Sequence, residues 1–154
     1  MPVFPQDVST QETIQFIPED VEFELEKQAL IQQWILQVIH QEDSILDTIT
    51  YIFCSDEYLH KINVEYLNHN TYTDIITFSL SEEEIESDIF ISIDRVKENA
   101  KEHNVNFETE LHRVIIHGVL HLCGYKDKSE EEQELMTTKE NEALDLLKKM
   151  ILSQ

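Results

Sequence analysis

The residues of this sequence best suited to chemistry lie between Val114 and Asp127, in the run Val-Ile-Ile-His-Gly-Val-Leu-His-Leu-Cys-Gly-Tyr-Lys-Asp. His117 and His121 stand at i and i+4. On a helix turning about 100° per residue they share one face, one turn apart. Two imidazoles so placed can reach one tetrahedral cation from a rigid support. The chain has two glycines, Gly118 and Gly124, and both fall in this run. A glycine inside a helix costs about 1 kcal/mol relative to alanine, so Gly118 implies a close approach to the backbone. Gly124 suits a helix C-terminus, where the chain reverses and brings Asp127 back to the histidines as a third ligand. The pattern His-x-x-x-His-x-x-Gly-x-x-Asp thus reads as a cation site with one corner left open. Closed structural zinc sites generally show four protein ligands, usually with cysteines, which disfavours a purely structural ion. Cys123 stays open as a fourth ligand, although its offset from His121 points it away from the shared face.

Other elements must carry and cover this run. Leu111, Val114, Ile115, Ile116, Val119, Leu120 and Leu122 are apolar nearly all round the helix, the mark of a buried one. Imidazoles in such a setting need partners. Asn104 or Asn106 caps this helix, and Asp94 to His103 forms a short one before it. Earlier, the spacing of Phe23, Leu30, Ile31, Trp34, Ile35, Val38 and Ile39 predicts a helix over 18–40 with Trp34 as a core anchor. Thr13 to Ile17 reads as a short edge strand and Thr48 to Cys54 as a strand. Ser55 caps a helix over 56–67 with Leu59, Ile62 and Tyr66 on its apolar side. Thr73 to Leu80 and Asp88 to Ile93 read as strands joined by a short acidic connection, hence antiparallel neighbours. Ser129 and Glu132 form a capping box. It opens a long helix with Leu135, Met136, Ala143, Leu147, Met150 and Ile151 facing inward. The sum is one α/β or α+β domain over residues 1–154: a small mixed sheet of about four strands covered by about five helices.

Composition narrows the partners. With 11 Lys and Arg against 32 Asp and Glu, the formal net charge is −21. A broad phosphate-binding surface relies on cations, so that balance argues against one. The charge is unevenly spread, however. From Arg95 to Lys128 cations and acids nearly balance, and the acidity lies mostly outside the proposed site. Glu82 to Glu86 and Glu130 to Glu134 read as a solvated loop and a solvated helix face. The N-terminal ten residues lack the pattern of a secretory signal, and no apolar stretch is long enough to span a bilayer. Cys54 and Cys123 show no disulfide or C-x-x-C spacing, which favours a reducing cytosol and small apolar roles.

His117-Gly118-Val119-Leu120-His121-Leu122 followed by Gly124-Tyr125, with Thr73-Asp74-Ile75-Ile76-Thr77-Phe78 upstream, resembles the YbeY-type rRNA maturation endoribonucleases. The likeness runs from about Ile62 to Leu144. It implies a compact α/β fold, one Zn2+ per chain and a cytoplasmic, metal-dependent ribonuclease working in rRNA maturation and ribosome quality control. The partners it implies are a small-subunit ribosomal protein and the Era GTPase. Three positions depart from the family pattern. Asp127 stands where the family has a third histidine, Leu67 where it has an arginine, and Ser87 where it usually has glycine. A carboxylate can bind zinc, but its charge should leave the metal a weaker Lewis acid than three imidazoles would. Leu67 removes a cation that would stabilise a phosphoryl transition state.

His117, His121 and Asp127 are thus the expected zinc ligands, the two histidines being central to catalysis. An ion so held would activate water and polarise a phosphoryl oxygen. Asp74 is a candidate to orient a histidine or a water. Lys126 is a candidate phosphate contact, and Thr73 and Thr77 are weaker ones. Two other readings stand beside the nuclease. One is a non-catalytic ribosome-assembly docking module, which the charge and Leu67 favour. The other is a zinc peptidase, disfavoured because such enzymes carry a glutamate directly after the first histidine, where this chain has Gly118.

Overall fold

The structure, a computed structural model, describes residues 13–154. The N-terminal ten residues, read above as lacking a secretory signal, lie outside the described residues. Four strands, β1 (Ile14–Pro18), β2 (Leu46–Cys54), β3 (Ile75–Ser79) and β4 (Ile85–Ser92), form one sheet in the order β1-β2-β4-β3. β1, β2 and β4 run parallel, while β3 runs antiparallel to β4 along the edge. Helices α1 (Gln28–Gln41), α4 (Phe107–Leu122) and α5 (Glu130–Leu152) share one core with the sheet. Helix α2 (Asp56–Leu67) contributes Leu59, Tyr58 and Ile62 to a smaller cluster with Ile76, Phe78 and Phe90. Ile76 and Phe90 alternate with Ile75 and Ile89 along their strands, so α2 lies on the face opposite α4. Helix α3 (Ile93–Glu102) follows β4 directly. This is the expected mixed sheet with five helices among the described residues.

Side-chain caps set the helix starts. Ser55, Ser92, Asn106 and Ser129 each accept a hydrogen bond from the backbone three residues on, and Ser129 with Glu132 completes the capping box. Asn106 rather than Asn104 caps α4; Asn104 instead turns the chain at φ 57°.

Three expectations need correction. The helix foreseen over 18–40 begins only at Gln28, because Pro18 ends β1 and Lys27 adopts a left-handed conformation at the helix entry. Val21, Phe23 and Leu25 pack on the core from an irregular segment. Phe23 stands seven residues before Leu30, in phase with the helical stripe that follows, although the segment between is not helical. β4 starts earlier than foreseen, so the acidic run 82–86 ends inside a strand, with Ile85 buried. Leu135 and Tyr66 point outward, 48% and 70% exposed, since each falls off the edge of its helix's buried stripe.

Candidate metal centre

Helix α4 is set against the sheet by burial, by one polar contact and by a close approach at a glycine. Leu111, Val114, Ile115, Ile116, Val119 and Leu120 are buried, each contributing about 1.5–3 kcal/mol on transfer from water. The buried Tyr51 hydroxyl on β2 donates to the Ile115 carbonyl at 3.1 Å. At Gly118 a Cβ would lie 3.0 Å from Ile75 Cδ1 and 3.4 Å from Thr77 Cγ2 and Ile89 Cδ1. The close approach foreseen at this glycine is therefore made by the sheet. It brings α4 down onto β3 beside His117.

The helix ends as the sequence foretold. Gly124 adopts φ 109°, the Gly124 amide donates to the His121 carbonyl, and the Tyr125 amide reaches back to the Leu120 carbonyl. This paired closure is the Schellman arrangement. It turns the chain so that Asp127 meets the histidines.

His117 Nε2 lies 3.4 Å, and His121 Nε2 3.3 Å, from Asp127 Oδ2. One ligand atom from each residue falls within 4.8 Å of the others. Zinc bonds of about 2.0–2.1 Å at tetrahedral angles would put ligand atoms about 3.3–3.4 Å apart, so these two spacings suit such an ion. The remaining ring nitrogens are occupied. His117 Nδ1 faces Glu140 Oε2 at 2.6 Å, and His121 Nδ1 faces the Tyr125 carbonyl at 2.8 Å. Carbonyls and carboxylates accept, so each Nδ1 donates to its partner, which leaves Nε2 as the nitrogen whose lone pair an ion in the cage would take. All three side chains are only partly buried, which leaves a route in from solvent.

Electrostatics follow from this geometry. Burial draws the His117 imidazole down, but the Glu140 hydrogen bond and the charges of Glu140, Asp127 and Asp74 outweigh it and hold it above the ordinary histidine value. Burial pushes the Asp74 carboxyl above the usual carboxylate range. The His117 charge, its own backbone amide and the Asn99 amide offset that only in part.

The carboxylate that orients His117 is Glu140, not Asp74, which was the sequence candidate for that task. Asp74 Oδ2 instead accepts from Asn99 Nδ2 at 3.3 Å and acts on His117 through its charge. Glu140 is 7% exposed and is locked by Arg113, whose Nη1 donates to Oε1 at 2.8 Å while Nη2 donates to Asn141 Oδ1 at 2.8 Å. The sequence did carry a sign of it: Glu140 interrupts the inward stripe of α5 between Met136 and Ala143, where a lone acid needs a partner. The Tyr125 hydroxyl donates to Glu42 at 2.7 Å and ties the Asp127 loop to the end of α1.

The other candidates scatter. Lys126 is exposed beside Asp127. Thr73 Oγ1 donates to the Ile75 carbonyl at 3.4 Å, and the Thr77 methyl packs toward Gly118. Leu67 ends α2, 39% exposed. Ser87 is buried and donates to the Phe78 carbonyl at 2.8 Å, so a hydroxyl is accommodated where the family usually has glycine. Cys123 packs against the core and is not one of the converging groups. Cys54 and Cys123 are both free thiols.

A mixed α/β sheet under a helix that offers two histidines to a returning carboxylate defines a protein built around a potential metal site. The family model described as endoribonuclease YbeY matches residues 13–148, and the chain belongs to that family. Among its relatives, the endoribonuclease YbeY of Flavobacterium johnsoniae is 54% identical over 126 residues, covering 81% of this chain and 91% of that one. That of Cytophaga hutchinsonii is 49% identical over 140 residues, covering 90% and 98%. The solution structure of TM1509 from Thermotoga maritima superposes with a TM-score of 0.61 at 26% identity, covering 89% of this chain and 93% of that one.

Proposed function

We propose that this chain, working as one domain over residues 1–154, is a zinc-dependent endoribonuclease of ribosomal RNA maturation with His117, His121 and Asp127 as its metal ligands. Endoribonuclease activity follows from the family. The observation that carries the site is the convergence of two Nε2 atoms on Asp127 Oδ2 while each Nδ1 is engaged elsewhere. When bound there, zinc supplies a Lewis acid that polarises a phosphoryl oxygen and makes water more acidic.

The chain's own groups do the rest. Glu140 and the Tyr125 carbonyl hold the Nδ1 protons, so both imidazoles stay in the tautomer that presents Nε2. Asp74, next to the Ile75 that packs at Gly118, serves in this reading as the candidate acceptor of the proton released as the phosphodiester is attacked. Lys126 stands beside Asp127 to meet a phosphate oxygen. Thr73 and Thr77 have packing and local bonding that account for them, which leaves them as support for β3. Gly118 has no side chain to move a proton, which counts against a peptidase.

No helix among the described residues is long and apolar enough to cross a membrane. A cytoplasmic site of action, with a small-subunit ribosomal protein and the Era GTPase as partners, fits work on ribosomal RNA. The test is incubation of zinc-loaded protein with single-stranded RNA beside His117→Ala and His121→Ala. Wild-type cleavage that both variants lose is the expected result, and cleavage that persists in both overturns the reading. Tight zinc with unchanged coordination in Asp127→Ala would remove Asp127 from the ligand set.

A further inference from the structure

The loop between α2 and β3 carries an aromatic stack that the metal cage does not use. The His60 ring lies against Tyr72 with centroids 4.2 Å apart and planes only 13° from parallel. His60 Nε2 donates to Asn70 Oδ1 at 2.9 Å, which fixes the ring. Asn63, buried on α2, donates to the Thr71 carbonyl at 2.9 Å, and the His69 amide bonds back to the Asn63 carbonyl. The loop is thus pinned at successive residues, yet Tyr72 remains 56% exposed. A rigid, backed and solvent-facing ring is a surface prepared for another flat group.

Its surroundings narrow what that group is. The Arg95 guanidinium lies 5.8 Å from the Tyr72 ring centre and is held by Asp56 at 2.7 Å. Tyr72, Arg95, Lys97 and Lys101 line one depression of about 660 Å³, where the acids Asp56, Glu57, Asp94 and Glu98 also stand. Lys97 and Lys101 form no ion pair among the described residues. Asp56 and Asp94 follow the carboxyl ends of β2 and β4, the end of an open α/β sheet where ligands bind. Three residues beyond Tyr72, Ile75 packs at Gly118, the residue next to His117. The acids exclude a site run on phosphate attraction alone, whereas base stacking needs no net positive charge.

We propose that Tyr72, backed by His60, is a stacking platform for a nucleobase of single-stranded RNA flanking the cleaved phosphate, with Lys97 and Lys101 meeting the adjoining backbone. The proposal rests on the ribonuclease reading and adds to it where the substrate is gripped. It accounts for how a chain of net charge −21 can hold a polyanion: affinity comes from rings, with few phosphates neutralised.

The test uses zinc-loaded protein and a short single-stranded RNA carrying 2-aminopurine, with binding read by its fluorescence and cleavage followed in parallel on a gel. Wild type quenches the base, and Tyr72→Ala removes the quench and weakens binding about tenfold, while zinc content stays unchanged. Tyr72→Phe keeps both. Lys97→Ala with Lys101→Ala leaves the quench intact and flattens the log–log salt slope by roughly 0.7 for each phosphate that is no longer neutralised. If Tyr72→Ala also lowers the melting temperature, an abasic site in place of the 2-aminopurine makes the same deletion from the RNA side, read by the anisotropy of an end-label, again with about tenfold weaker binding expected. Unchanged binding and quench in Tyr72→Ala, or loss in Tyr72→Phe as great as in Tyr72→Ala, overturns the platform while wild-type cleavage leaves the ribonuclease reading standing. Wild type that neither binds nor cleaves the RNA overturns both.

Discussion

His117 and His121 sit one turn apart on α4 and are held by different means. His117 leans on a side chain: Glu140, buried on α5 and locked by Arg113. His121 leans on the main chain, the Tyr125 carbonyl, in the same turn that delivers Asp127. A side-chain support can be deleted by one substitution. A carbonyl cannot, and yields only if its loop is displaced. The two halves of the cage should therefore differ in how they fail.

The largest effect should come from the ligands themselves. His117→Ala and His121→Ala should each lose stoichiometric zinc, read by metal analysis, with at least a hundredfold loss of RNA cleavage; equal retention in either would dissolve the comparison. Next is Glu140→Ala, which frees His117 to rotate and leaves Arg113 short of its partner. Zinc affinity should fall about 10–100-fold in a competition titration. Stability should drop about 2–3 kcal/mol by denaturant unfolding, with Glu140→Gln keeping part of both.

Gly124→Ala attacks the His121 side through the backbone. A side chain at φ 109° strains the turn, costing about 1–3 kcal/mol and displacing Asp127, so zinc should weaken along with stability. Tyr125→Phe loosens the same loop more gently. Loss of the Glu42 bond should cost about 1 kcal/mol and only a few-fold in zinc affinity. If Tyr125→Phe proved worse than Glu140→Ala, the ranking of side-chain over main-chain support would be reversed.

The smallest effect is in pH. In metal-free protein the His117 value is raised, so its stabilisation is complete below the ordinary histidine value and fades as pH rises through the folded one. His112, on the same helix, is lowered by burial and by the Lys27 charge, so its contribution is present above the ordinary value and fades as pH falls. Melting curves across pH should therefore respond to His117→Asn on the acid side and to His112→Asn on the neutral side.

The contrast also marks what could be read from the sequence. Most of what was local was legible: the i, i+4 histidines, the Gly124 reversal, the Ser55 and Ser129 caps and the pairing of β3 with β4. Asp127 could be placed because it lies a fixed six residues beyond His121. Glu140 and Arg113 could not be paired in advance, since they belong to different helices and no spacing rule links them. Asp74 took the orienting role on paper because it is the nearest acid in the recognised motif. The fold gave that role to a helix that arrives later. The 18–40 helix failed for a local reason: Phe23 falls in phase with the stripe from Leu30 onward, although the chain becomes helical only at Gln28.

The lone tryptophan turns this arrangement into something that can be watched. Trp34 is fully buried, its indole nitrogen donates to the Ala143 carbonyl at 2.7 Å, and its ring meets His112 edge-on. Ala143 lies less than one turn beyond Glu140 on α5. The intrinsic emission of the unlabelled protein thus serves as an optical gauge of how α1, α4 and α5 are seated. A red shift on stripping zinc would signal that the seating depends on the ion.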